Sequence, residues 1–490
     1  MRIRSTPFAT TRTYGGFALR ILAVVLVLSS TALADPPPTE RRVQVPSTTK
    51  VVRTLGALAR TDDAAYRKLT WLCDRIGHRL TGSPALEQAV QWAVGALTAD
   101  GHENVRAEPV TARKWIRGEE SLTLLAPRVQ RLPLLGLGNG VGTPPGGVTA
   151  DVEVVRTEAE LDALGERARG RIILFDLAMP PWTAERGTGY GDAVRFRVHG
   201  PRLAAEKGAV GVLVRSVTAR SLRTPHTGVT VHADSGTRIP GASVTTEDAA
   251  WIARLRAAGE RVQVRLELGA RDAGTTLSAN VVAELVGRER PEEFVVIGGH
   301  LDSWDVGQGA HDDGAGVVMA MQALTWLRGL GVRPRRTIRV VLWTNEENGL
   351  AGGKAYARDH AAELPGHVAA LEADMGGFRP RGVGIVLEDP AAQARAERKL
   401  RALAPAMRPL DAHRIFPGFG GADIGPMVPA GVPAMGLRVD DSTYFDYHHT
   451  EADTLDKVDP AALAASTAAL AAWAWVLAEQ PDRLNPPASP

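Results

Sequence analysis

The chain has 490 residues, 44% hydrophobic and 23% charged, with 57 basic and 55 acidic side chains; this suits two or three globular domains and excludes a disordered chain or a bundle of membrane spans. Four of the basic residues (Arg2, Arg4, Arg12 and Arg20) lie in the first 34 positions, leaving 53 basic against 55 acidic in the rest, a balance that argues against nucleic acid as a partner. One cysteine, Cys73, excludes an intrachain disulfide and a cysteine-based zinc knuckle.

Residues 1–20 are basic and polar, Ile21–Leu28 is an unbroken apolar run, and Ala32-Leu33-Ala34 follows. This pattern predicts a signal peptide over 1–34, cleaved after Ala34, and a secreted or periplasmic mature protein with no stable membrane anchor. The run is short of the roughly 20 apolar residues of a spanning helix. The remainder is expected to hold no run long enough to span either.

Apolar spacing predicts helices over 62–80 and 83–100, the second started by Ser83-Pro84 and ended by Gly101. Val105–Val110 reads as a strand. From 118 to 275 Gly and Pro become dense. Short β-like runs (Leu122–Leu125, Val152–Val155, Ile172–Phe175, Val210–Val214, Val262–Leu268) and a helix near 199–207 suggest a separate β-rich module there. From 276 to 480 strands at Phe294–Ile297, Thr337–Thr344, Val368–Ala373 and Ala434–Val439 alternate with helices at 315–329, 349–359, 390–404 and 460–478. The expected fold is α/β: a mixed, mostly parallel sheet flanked by helices, built from 35–117 and 276–480, with 118–275 inserted and 481–490 a flexible tail.

H-E-x-x-H and G-x-S-x-G are both absent. Five segments past residue 298 instead concentrate His, Asp and Glu at strand ends, where open α/β sheets bind ligands. They are Gly299-His300-Leu301-Asp302, His311-Asp312-Asp313-Gly314, Asn345-Glu346-Glu347, Glu372-Ala373-Asp374 and His448-His449-Thr450-Glu451-Ala452-Asp453-Thr454-Leu455. The His300 imidazole suits a borderline metal such as zinc, and Asp302 can accept its second N–H. Asp312 and Asp313 would repel unless a cation sits between them, although one of them could simply cap the following helix. Of the two glutamates, one can bind metal while the other takes a proton from water.

These segments resemble the M28 family of co-catalytic di-zinc peptidases. The run His300–Ala310 and Val341-Leu342-Trp343-Thr344 are similar to its carboxypeptidase Q-like branch, and 118–275 is similar to the protease-associated (PA) domain inserted there. The resemblance implies two Zn2+ ions bridged by Asp312. His300 and Asp374 complete one ion, Glu347 and His449 the other, with Glu346 as general base and a cis peptide at Asp312–Asp313. Asp302 and Asp313 stand behind the ligands. His448 competes with His449; the spacing to Thr450 and Asp453-Thr454-Leu455 favours His449. The resemblance also suggests a peptide substrate and a homodimer.

Two departures leave the oxyanion donor open. A histidine found in many relatives is absent from Gly421-Ala422-Asp423-Ile424, and a tyrosine found in some is absent at Phe419-Gly420. Trp304, Arg379, Phe416–Phe419 and the inserted module are the expected pocket walls. The competing readings are a strict carboxypeptidase, an amidohydrolase on a non-peptide amide, and a non-catalytic receptor-like protein.

Overall fold

A computed structural model describes residues 45–220, 222–232 and 236–485. The signal peptide over 1–34, its cleavage site and residues 486–490 lie outside the described residues.

Two mixed eight-stranded sheets organise the chain. The first runs, edge to edge, Glu103–Ile116, Arg271–Leu285, Arg336–Trp343, Arg290–His300, His367–Glu372, Ala434–Val439, Pro380–Val386 and Arg414–Pro417. Its four central strands, from Arg336–Trp343 to Ala434–Val439, are mutually parallel. Such strands are covered on both faces, which is why they read as near-continuous apolar runs. All eight residues of Arg336–Trp343 are buried. Their register pairs His300 with Trp343 and Gly298 with Glu372, so the turns that follow all three strands open at one edge of the sheet.

The helices Ala315–Gly329 and Pro460–Glu479 pack against each other beside this sheet. Pro460–Glu479 corrects one sequence expectation. With 20 residues and a mean hydropathy of 1.7 it is apolar enough to cross a membrane by length and composition, yet 89% of that stretch is buried inside the protein. It is apolar all round because it is a core helix. Asp459 caps it by accepting from Ala461 N, as Ser83 caps Pro84–Ala99 by accepting from Leu86 N.

The second sheet takes every strand from 120–268. Its order is Gln130–Leu132, Glu120–Ala126, Gln263–Leu268, Val148–Val155, Ile172–Phe175, Gly211–Arg215, Gly241–Val244 and Leu134–Gly136. The strand Arg271–Leu285 that rejoins the first sheet runs straight through position 275 and pairs antiparallel with Glu103–Ile116, Ile116 opposite Arg271. Residues 481–485, expected to start a flexible tail, are anchored. Arg483 pairs with Glu293 at 3.0 Å, Asn485 donates to Gly431 O at 2.8 Å, and Leu484 is buried.

Candidate metal centre

Each of the five acidic and imidazole segments leaves an element of the first sheet or leads into one of its helices. His300 ends its strand, and Asp312 and Asp313 precede the helix Ala315–Gly329 across a cis peptide bond between them. The turn after Trp343 passes through Asn345, whose φ of 64° is left-handed, and delivers Glu346 and Glu347. Asp374 follows the strand His367–Glu372. His449, with φ 62°, follows the short helix Tyr444–Tyr447.

The structure brings these side chains together around Asp312. Nε2 of His300 lies 3.2 Å from Asp312 Oδ1 and 3.5 Å from Asp374 Oδ1. Nε2 of His449 lies 3.2 Å from Asp312 Oδ2 and 3.1 Å from Glu347 Oε2. Asp312 thus turns one oxygen to each of two donor groups. His448 stacks on His449 with ring centroids 3.5 Å apart and reaches Asp312 Oδ2 at 3.7 Å. The donor atoms of Asp312, His448 and His449 also fall within 4.8 Å of one another, so distance alone admits either histidine. Only for His449 does the structure show a contact with Glu347 as well.

The tautomers argue for cations. Nδ1 of His300 lies 3.0 Å from the Asp302 carbonyl and Nδ1 of His449 lies 3.2 Å from the Thr227 carbonyl. A carbonyl only accepts, so each Nδ1 carries a proton and each Nε2, facing carboxylates, is the position left for a cation or a second proton. Asp312 Oδ2 and Glu347 Oε1 are buried without a hydrogen-bond partner. Two imidazoles and three carboxylates with converging lone pairs form a donor set of the chemistry that divalent zinc takes.

The electrostatics say the same. Burial, with Glu347, Asp374 and Asp423 adding to it, pushes Glu346 well above the usual carboxylate range. Burial and Asp312 raise Glu347 to about 7. Burial would lower His449, but Glu347 and Asp312 outweigh it and raise the imidazole to about 9. Burial would raise Asp312, but the His300 and His449 imidazoles beside it hold it well below. Glu346 and Glu347 driven up and His449 drawn to its charged form mark a site shaped to hold positive charge.

The residues behind this cluster differ in part from the sequence reading. The Asp302 carboxylate does not take the His300 N–H; its Oδ1 is 3.8 Å from Nδ1, and the Asp302 main-chain carbonyl serves instead. The carboxylate is committed to N–H groups of Glu346 at 3.0 Å and Glu347 at 3.3 Å. Asp313 accepts from His300 N and Gly316 N, both at 3.0 Å. Asp453, seen in the sequence only as part of a spacing, accepts from His311 N at 2.7 Å and Asp312 N at 3.1 Å. The His311 ring is directed elsewhere, stacked on Phe378 with its Nε2 at 3.2 Å from Lys457 O.

Three further residues come from the second-sheet region, and no sequence signal marked them. Thr227 N donates to His449 O at 2.9 Å, its carbonyl takes the His449 Nδ1 proton, and His226 Nδ1 donates to His448 O at 2.8 Å. Arg197 approaches His449 from the same side, Nη1 to Nδ1 3.4 Å.

A cavity of about 620 Å3 opens over the cluster, walled by Asp312, Glu346, Glu347, Asp374 and His449 on one side and Tyr190, Arg197 and Val229 on the other. Phe419 lines it as expected. Trp304 does not. It is buried edge-on against Trp115 and His449, a filler behind the imidazole. Arg379 is mostly exposed beside Asp459, away from the wall.

Comparison with known proteins places the chain among relatives. The model described as Peptidase family M28 matches residues 280–474. Carboxypeptidase Q of Mus musculus is 40% identical over 435 residues, spanning 89% of this chain and 90% of that protein, and that of Homo sapiens is 37% identical, spanning 89% of each. The crystal structure of a peptidase M28 precursor from Shewanella amazonensis SB2B is similar with a TM-score of 0.84 at 38% identity, covering 90% of this chain and 98% of that one. A zinc aminopeptidase from Bacillus subtilis shares the fold, with a TM-score of 0.61 at 18% identity over 86% of this chain and 96% of that one.

Proposed function

The chain belongs to peptidase family M28, and from that premise we propose that it is an exported zinc-dependent exopeptidase acting on dipeptides or short peptides. One observation carries this reading: the two oxygens of Asp312 are shared between a His300–Asp374 group and a His449–Glu347 group. Those five residues would hold two zinc ions, with Asp312 common to both. Bound zinc supplies Lewis acidity, which lowers the pKa of water from 15.7 to roughly 7 and polarises a carbonyl.

The chain's own part is positioning and proton transfer. Glu346 borders the cavity beside the cluster, and burial among carboxyls raises its affinity for a proton. It takes the proton of the attacking water and returns it to the leaving amine. Asp302 fixes the backbone of Glu346 and Glu347, so base and ligand move as one turn. The part spanning 118–275 acts as an inserted PA-type module that closes the far wall of the cavity. Export rests on the N-terminal pattern of charge, apolar run and Ala-x-Ala.

The test is zinc stoichiometry on the purified mature protein, with hydrolysis of free, N-blocked and C-blocked dipeptides measured with and without chelator. We expect two zinc ions per chain and chelator-sensitive cleavage. Glu346→Gln should keep both ions and lose turnover by about 100-fold or more, the usual scale of a general base. A variant that retains most of its activity would refute the assignment of the base.

A further inference from the structure

We propose that Arg197 receives the terminal carboxylate of the peptide substrate, so that the free C-terminus is what this cavity reads. The inference rests on the exopeptidase reading above and assigns the end of the substrate that the site selects.

Arg197 lies on the helix Arg195–Glu206 of the second-sheet region, only 4% exposed, with its guanidinium in the cavity wall. Its surroundings are the Tyr190 ring, 5.5 Å from the guanidinium carbon to the centroid, and His449 Nδ1 at 3.4 Å. Its Nε has no acceptor, and it forms no ion pair with any carboxylate among the described residues. The other guanidinium of the wall, Arg438, is already engaged: it lies over Phe419 at 4.6 Å, with Asp441 at 3.8 Å. A buried cation with no anion is costly, and it persists in folded proteins where a ligand completes it.

The backbone is cut back to seat this group. Gly228 has φ +140°, and a Cβ there would stand 2.5 Å from the guanidinium carbon. Any other residue at 228 would displace Arg197 from the cavity.

The guanidinium faces the cavity in which the bond to be cut would lie. The His449 ring separates the guanidinium, on its Nδ1 side, from Asp312 and Glu347, on its Nε2 side. An extended peptide advances about 3.3–3.6 Å per residue. Arg197, Asp312 and Glu347 line the same cavity, so a peptide whose carbonyl is held at the Asp312–Glu347 edge can run on towards the guanidinium. The guanidinium fork matches a carboxylate through two parallel N–H···O bonds.

The experiment measures binding without turnover, in zinc-loaded Glu346→Gln protein. Calorimetric Kd values are compared for a dipeptide and its C-terminal amide, with Arg197 intact and as Arg197→Met and Arg197→Lys; zinc content and thermal unfolding check each fold. Intact Arg197 should favour the free acid by about 10- to 150-fold, the range of a hydrogen bond to a charged group. Arg197→Met should erase that preference by weakening only the acid, and Arg197→Lys should restore part of it. Equal loss for acid and amide would overturn the proposal in favour of a general structural or oxyanion role. A preference that survives Arg197→Met, or is absent with Arg197 intact, would also overturn it. If Arg197→Met does not fold, the comparison rests on Arg197→Lys, which must lower the preference. Absence of peptide hydrolysis by the parent enzyme would refute the exopeptidase reading, whereas these Kd values judge Arg197 separately.

Discussion

Asp302 gives the sharpest test of how the base is held. Its carboxylate is fully buried and accepts the main-chain N–H groups of Glu346 at 3.0 Å and Glu347 at 3.3 Å, in a turn that starts from a left-handed Asn345. A hydrogen bond to a charged group contributes about 1.5–3 kcal/mol, and here no water can replace it. The second bond is long, so the lower part of the range applies to it; Asp302→Ala should cost about 3–4 kcal/mol in total. Asp302→Asn keeps one acceptor and should cost about half of that. Urea unfolding of the metal-chelated protein reads the difference as a shift in midpoint at constant slope. In the zinc-loaded protein, kcat for Asp302→Ala should fall by roughly 10- to 100-fold, because small misplacements of a catalytic group are expensive. The reasoning fails if Asp302→Ala stays within about 1 kcal/mol of the parent, or if the Asn variant is as damaged as the Ala variant.

Burial, with Arg339 nearby adding to it, lowers His367 to about 4, and the neutral ring pairs with Tyr356 Oη at 2.9 Å. Its folded pKa lies below the unfolded 6.5, so the stability it contributes is complete above pH 6.5 and is lost as pH falls towards 4. At pH 5 the loss is about 2 kcal/mol, and His367→Gln should flatten the stability curve between pH 7 and 5 by that amount; parallel curves would disprove it. His226→Ala removes the hydrogen bond to His448 O, and chelator competition should show a zinc affinity about 10- to 100-fold weaker at one of the two sites; unchanged affinity at both sites would rule out a role for His226 in holding the ligand loop. Cys73 is buried and its thiol is pushed up to about 12 by burial, so an aromatic disulfide reagent should label it only after unfolding. Prompt labelling of the native protein would show that its pocket opens.

The catalytic sheet was legible because its central strands are buried on both faces and its chemistry lies in the turns just after them. His300 and the Asn345-Glu346-Glu347 turn each adjoin an apolar run that ends where the strand ends. Less could be read where function depends on long-range contact. Asp302 stood two residues from His300 and looked like its partner, but a carboxylate that distant from Nδ1 has a stronger use in the N–H groups of another turn. Arg197, His226 and Thr227 sit in segments whose local pattern is that of an ordinary helix and loop. Their roles come from a tertiary contact more than 220 residues away in sequence. The strand Arg271–Leu285 was obscured for a similar reason: its first half is largely exposed and polar, paired only with Glu103–Ile116, so it carries no apolar run.

The antiparallel pairing of Glu103–Ile116 with Arg271–Leu285 carries the chain into and out of the second-sheet region, and that region holds His449 through Thr227. A movement of that region that widened the cavity to let product leave would pull on the same imidazole. With His449 as a zinc ligand, as proposed, release of product and loosening of that ligand would be one event, and zinc exchange should quicken while the enzyme is turning over.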